Sequence, residues 1–299
     1  MLRFVLALLA AAIALPALAV EVRPVALVVT DAQGAFVADV RAEEVKVLEN
    51  GELREVVSFE KDDRPLVAVL VLDTSASATT VFRGPAYGAV SAFVARLPTD
   101  ARCTLWATGD HPRKIGDLGG DAKAIEKRVS QAFGVGGTNT LLETLVDAAE
   151  ALGRESGRRR ALVAVSGAGA GHTNLAPGEI STRVRKASGR VLGVMYREGA
   201  TGAAGPLMGL DSPRDTSNLS IVGAGDHERI LSGLAQSTGG RFESVPTALG
   251  VDRILESFAA DLGGQYRIRY AAAEGKGPRR IEVRVARPGV RWRVAVDTP

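Results

Sequence analysis

The chain of 299 residues is 46% hydrophobic and 24% charged, with a formal net charge of +3. It holds enough apolar material for a substantial core, and its charge is too balanced for a general polyanion binder, so no nucleic-acid partner is expected. At roughly 150 residues per domain, the length predicts about two domains. Three histidines and one cysteine exclude a zinc finger or a His-rich metal centre. Cys103, with no disulfide partner in the chain, is expected to be a buried small apolar group.

Residues 1–19 read as an export signal peptide. Arg3 gives a positive start, residues 4–15 are apolar, and Ala17, Leu18 and Ala19 form a small-residue cleavage pattern. Pro16 cuts the run short of the ~20 residues that a spanning helix needs. No cysteine follows the cleavage pattern, so lipid attachment there is not expected. The mature chain is expected to begin at Val20, to be secreted to the periplasm or the medium, and to make no stable membrane insertion. A retained amino-terminal anchor is the alternative.

Residues 20–62 have extended character. Strands are predicted at 25–30, 44–48 and 53–59, the last two flanking Glu49, Asn50 and Gly51. Asn-Gly between apolar runs is a hairpin signal because both residues tolerate positive φ. After a linker around Pro65 the pattern changes, and residues 63–262 alternate buried strands with amphipathic helices. Strands are predicted at 66–72, 101–107, 113–118, 160–165, 191–196 and 241–245. Helices are predicted at 81–97, 122–133, 141–152, 228–234 and 251–262, and a surface loop at 198–225. This order predicts an α/β fold with a doubly wound, mainly parallel sheet. Residues 263–299 return to β character at 265–270, 281–286 and 290–296. The two flanking β segments are each too short to stand alone and are expected to pair into one small β module.

The most informative residues are Asp73, Ser75 and Ser77, at the end of the first buried strand. In a doubly wound sheet, ligands sit at the carboxyl ends of the strands. A carboxylate and two hydroxyls at i, i+2 and i+4 can point into one loop cavity, and hard oxygen donors suit Mg²⁺ or Mn²⁺. Gly136, Gly137 and Thr138 supply a second loop with another hydroxyl. Read alone, the Asp-Thr-Ser turn is an N-cap of the following helix.

These residues resemble the von Willebrand factor type A (VWA) domain and its metal-ion-dependent adhesion site (MIDAS). Asp73, Ser75 and Ser77 match the Asp-x-Ser-x-Ser signature, and Thr138 matches the separate threonine. The resemblance runs from Arg64 to Leu262. Residues 28–31 and 45–51 resemble the leader of exported bacterial "VWFA-related" proteins, and residues 234–241, 265–266 and 280–285 resemble that group's distal half. The resemblance implies metal binding at Asp73, Ser75, Ser77 and Thr138, completed by an acidic side chain of a protein partner. One position departs from the pattern: where the family has an aspartate after the strand at 160–165, this chain has Gly167. The missing carboxylate implies weakened binding of Mg²⁺ or Mn²⁺, and Gly167→Asp is expected to tighten it unless that turn is strained.

Other motifs carry less. Gly167, Gly169 and Gly171 follow a strand in the manner of a nucleotide-binding loop, but Pro177 argues against a helix behind them, and a turn is expected. Ser166 lacks the glycine of a nucleophile elbow two residues before it. His111, His172 and His227 lie in polar or glycine-rich stretches and are expected at the surface. Residues 264–299 hold nine Arg or Lys against three acids, expected as a solvated strand face or a weak contact with anionic envelope surfaces. No enzyme constellation is found. The sequence thus predicts an exported, non-enzymatic protein-binding, adhesion-type protein. The alternatives are a metal-independent structural scaffold of the cell envelope and, last, a hydrolase using Ser75 or Ser166.

Overall fold

The computed structural model describes residues 21–134, 137–198, 220–275 and 279–295. The expected signal, Gly136, and residues 199–219 of the expected surface loop lie outside the described residues. In chain order the strands and helices are β1 (Val22–Thr30), β2 (Val45–Glu49), β3 (Glu52–Arg54), β4 (Val56–Lys61), β5 (Leu66–Leu72), α1 (Ala76–Arg96), β6 (Arg102–Ala107), β7 (Arg113–Leu118), α2 (Ala122–Phe133) and α3 (Leu141–Gly153). They continue with β8 (Arg159–Gly167), β9 (Gly171–Thr173), α4 (Pro177–Ala187), β10 (Arg190–Tyr196), β11 (Ser220–Val222), α5 (Ala224–Thr238), β12 (Arg241–Val245), α6 (Val251–Leu262), β13 (Tyr266–Ala271), β14 (Ile281–Val285) and β15 (Arg291–Ala295).

The central sheet has the order β12-β10-β8-β5-β6-β7, parallel except for β7 at one edge. β5 sits in the middle and is buried along its whole length, which is why its sequence is apolar without alternation. Ala68, Leu70 and Leu72 pack in a core with α1, α2 and α6. Val67, Val69 and Val71 pack with α3, α4 and α5 on the other face. Cys103 is buried in the first of these cores, and burial pushes its thiol up to about 12. The predicted α/β, doubly wound, mainly parallel architecture is present.

The flanking segments form two small antiparallel sheets, β15-β1-β13-β4 and β14-β2-β3. Val25, Leu27 and Val29 of β1, Val45 and Val47 of β2, Ile268 of β13 and Val283 of β14 share one core. Asn50 and Gly51 have φ of 55° and 87°, the positive pair that a two-residue hairpin turn between β2 and β3 requires. An ion pair between Arg293 of β15 and Asp261 of α6 ties these sheets to the α/β layer, and hydrogen bonds brace the connecting segments and the strands beside them. Gln265 Nε2 donates to Asp62 Oδ2 at 2.7 Å, Arg159 donates to the carbonyls of Arg64 and Leu262, and Arg190 Nη1 donates to the Asp261 carbonyl at 3.0 Å.

Several sequence expectations need correction. The strand expected at 53–59 is two strands in different sheets, because β3 closes the hairpin while β4 pairs with β13. Helix α1 begins at Ala76 rather than at 81, since the Ser75 side chain caps it. A helix does follow the 167–171 glycines: Pro177 stands at the first position of α4, where its missing N–H costs nothing. Residues 220–222 are a strand paired with β9, and α5 already begins at Ala224. His227 is therefore helical and only 1% exposed, not a surface residue. The basic bias of the last strands is partly neutralised, with Arg279 bonded to Glu49 and Arg287 to Glu44 and Asp39. Among the described residues no helix is long and apolar enough to cross a membrane.

Candidate functional site

Three loops converge at the carboxyl ends of β8, β5 and β6, where the strand order changes direction, the place where open α/β sheets bind ligands. Asp73 is the hub and is 1% exposed. Its Oδ1 accepts from the Ser75 N–H at 3.0 Å and the Thr108 hydroxyl at 3.4 Å. Its Oδ2 accepts from Asn139 Nδ2 at 3.0 Å, the Gly167 N–H at 3.1 Å and the Ser166 hydroxyl at 3.4 Å. Four donors, with the single Ser166 proton shared between this carboxylate and the nearer Gly167 carbonyl at 2.9 Å, thus compensate a buried charge that would otherwise be costly.

The Ser75 and Ser77 hydroxyl oxygens lie 3.2 Å apart, and Ser75 Oγ also accepts the Ala78 N–H at 3.4 Å as the helix cap. Both readings of this turn, cap and donor cluster, therefore hold together. The second loop is tied to the first by the Ala76 N–H, which donates to the Gly137 carbonyl at 3.2 Å. Thr138 is exposed beside it, and its N–H donates to Asp110 Oδ1 at 3.3 Å. From the third loop, Gly169 lies against Ser77, since a Cβ there would stand 3.4 Å from Ser77 Oγ. Asp73, Ser75 and Ser77 share one hydrogen-bonded cluster, and Thr138 borders it on the adjoining loop. Among the described residues no group of three or more His, Cys, Asp or Glu side chains is placed to hold a metal. The paired Ser75 and Ser77 hydroxyls beside the Asp73 carboxylate are hard oxygen donors, of the kind that Mg²⁺ and Mn²⁺ take.

Position 167 differs from expectation in its surroundings. Gly167 has no positive φ, so its backbone is not strained. The space a side chain would enter is filled instead by Tyr196, whose Oη would lie 3.0 Å from an added Cβ. Tyr196 is buried against Phe82, and burial followed by the nearby Asp73 charge pushes its phenol far up. His227 is packed close to Gly171, and burial holds its imidazole below the usual range against the opposing pull of Asp73.

Sequence reasoning missed Thr108, Asp110, Asn139, Tyr196 and His227. For Thr108 and Asp110 a signal existed, because they directly follow a predicted parallel strand. His111 is exposed and His172 half-buried in β9.

This parallel sheet, covered by helices on both faces, recurs in solved structures. A von Willebrand factor type A structure from Catenulispora acidiphila superimposes with a TM-score of 0.50 at 12% identity, over 91% of this chain and 73% of that one. The chain has a VWA fold. Proximal thread matrix protein 1 from the mussel byssus gives a TM-score of 0.52 at 11% identity, over 72% of this chain and 51% of that one. A second structure of that protein, with zinc in its MIDAS motif, gives 0.51 at 11% identity, over 70% and 48%. The present chain thus spans about half the length of the byssus protein. No family model matches the sequence, and no curated protein matches it either.

Proposed function

We propose that this chain is a secreted, non-enzymatic protein-binding VWA protein. In this reading Asp73, Ser75, Ser77 and Thr138 hold a divalent cation, Mg²⁺ or Mn²⁺, which takes an acidic side chain of a protein partner as a further ligand. The carrying observation is the 3.2 Å approach of the Ser75 and Ser77 hydroxyls beside the buried Asp73 carboxylate. Hydroxyl ligands are neutral, so one adjacent carboxylate leaves a divalent cation under-neutralised and favours an incoming anionic group. The zinc in the MIDAS motif of the byssus protein supports a cation at this place in the fold. Ser166 supports the non-enzymatic reading, because its hydroxyl is turned onto the Gly167 carbonyl at 2.9 Å and onto Asp73.

A second reading, a metal-independent scaffold of the cell envelope, is favoured by one observation. Both Asp73 oxygens are filled by protein donors, so the three loops hold together without a cation. Capture of a partner from envelope extract with Mg²⁺ and with chelator, by wild type and Ser77→Ala, separates the two. Capture lost on chelation and in the variant supports the cation reading, and capture indifferent to both supports the scaffold. For export, a mature amino terminus at Val20 on detergent-free material is expected, and intact residues 1–19 on a membrane-bound product would favour the anchor.

A further inference from the structure

We propose that Arg190, Arg241 and Arg293 form a binding site for a small oxyanion of the phosphate class, gathered by Asp261 at the amino ends of the central strands. This is the end of the sheet opposite Asp73, and the proposal is independent of the cation reading above. Three observations carry it.

Asp261 of α6 draws three arginines together from three strands. Arg293 Nη2 of β15 lies 2.5 Å from its Oδ1, and Arg241 Nη1 of β12 lies 3.6 Å from its Oδ2. Arg190 Nη1 of β10 donates to its backbone carbonyl at 3.0 Å. Among the described residues the other acid in contact with these three is Glu243, 3.4 Å from Arg241 Nε. Positive charge is therefore in excess, and Arg159 at the start of β8 repels Arg190 as well.

The excess is also unanswered. Arg190 is 4% exposed, so bulk water does not cover its charge. Its Nε and Nη2, and Nε of Arg293, are buried and find no hydrogen-bond acceptor among the described residues. Buried N–H groups of a cation left without acceptors are costly. A tetrahedral oxyanion supplies several acceptor oxygens together with the missing negative charge, and the planar guanidinium fork matches such oxygens in pairs.

Access and order are the third observation. The side chains of Arg241 and Arg293 are 23% and 29% exposed, so the cluster meets solvent on their side while Arg190 closes it behind, an arrangement that suits a small ion. Arg241 is already held by Ser257 Oγ at 2.6 Å and by the Phe258 ring 4.9 Å away, which leaves little ordering to be done on binding.

The test is calorimetric titration of the full mature chain with inorganic phosphate, in chloride buffer of fixed ionic strength, for wild type, Arg293→Gln and Asp261→Asn. A thermal melt of each with and without phosphate accompanies it. Wild type is expected to bind phosphate and to melt higher in its presence. Arg293→Gln is expected to bind at least about 10-fold more weakly. Asp261→Asn removes the competing charge, so phosphate is expected to raise its melting temperature by more than it raises that of wild type, a gain that a purely structural arginine cluster would not give. Glycerol phosphate distinguishes the source: equal binding assigns a phosphate carried on a larger molecule, binding of inorganic phosphate alone assigns the free ion, and either upholds the site. Absence of phosphate binding in wild type overturns the proposal, as does wild-type affinity in Arg293→Gln.

Discussion

Tyr196 stands where the side chain of residue 167 would go: its Oη lies 3.0 Å from the place of a Cβ on Gly167. The ring is held there by Phe82 at 5.2 Å between centroids, which in turn meets Phe133 at 6.3 Å. Inserting Asp at 167 therefore pushes on a packed aromatic row. Overpacking of this kind costs about 1–3 kcal/mol. Gly167→Asp is expected to lower the melting temperature and to leave Mn²⁺ affinity no tighter than wild type, contrary to what the sequence alone predicts. Calorimetry and a thermal melt on the same protein check both.

Ser77 and Asp73 should separate function from stability. Ser77 is exposed, so Ser77→Ala is expected to change stability by less than about 0.5 kcal/mol while abolishing cation binding. Asp73→Ala leaves Asn139 and the N–H groups of Ser75 and Gly167 without their acceptor. A loss of about 3–5 kcal/mol is expected, measured by urea denaturation.

Asp261 joins the two parts of the molecule. Its carboxylate lies 3.6 Å from Arg241 Nη1 and contacts Arg293 of β15, while its carbonyl receives Arg190. Burial lowers the Arg190 guanidinium to about 10 against the opposing pull of Asp261. Asp261→Asn removes the negative charge among three arginines, and breaking such a buried arrangement costs about 3 kcal/mol or more. Hydrogen exchange should then rise in β1 and β15 before it rises in β5.

Acid should loosen the small β sheets and the connections that lead to them. Burial works against the charged form of Asp62, but hydrogen bonds from Arg64 and Gln265 outweigh it and hold the carboxyl below the ordinary range. Burial likewise opposes ionisation of Glu49, and the Ala273 N–H and Arg279 overcome it. Both folded-state values are depressed, so their stabilisation is fully present above the unfolded carboxylate range of about 4. It is lost as pH falls below that range through the lowered values. Urea midpoints at pH 7 and pH 3 are expected to differ less in Asp62→Asn than in wild type.

Most of the fold is local information. The unbroken apolar run of β5, the Asn50 and Gly51 turn and the apolar spacing of α6 each declare themselves within a dozen residues. What the sequence hides is partner choice. Nothing around Glu55 reveals that the chain leaves one sheet for another there, because either sheet offers β4 an apolar face. Pro177 reads equally as a breaker or a starter until the loop before it is placed. At the site, Asp73, Ser75 and Ser77 are visible because one turn carries all three. Asp110, Asn139 and Tyr196 reach Asp73 and its loops only through sheet order, from strands and loops far away in sequence. His227 is misread for the same reason, since its polar neighbours point outward while the helix turns the imidazole in.

The pairing of Lys61 with Tyr266 makes the α/β layer a long insertion between two neighbouring strands. As the chain emerges during synthesis, β1 and β4 appear first, yet β13, the strand that binds both, comes more than two hundred residues later. Contacts so distant in sequence form late and slowly. β1 therefore lacks both of its strand neighbours, β13 and β15, through most of translation and keeps its edges open. In a chain of this design the inserted layer, once closed, is what brings the two ends together.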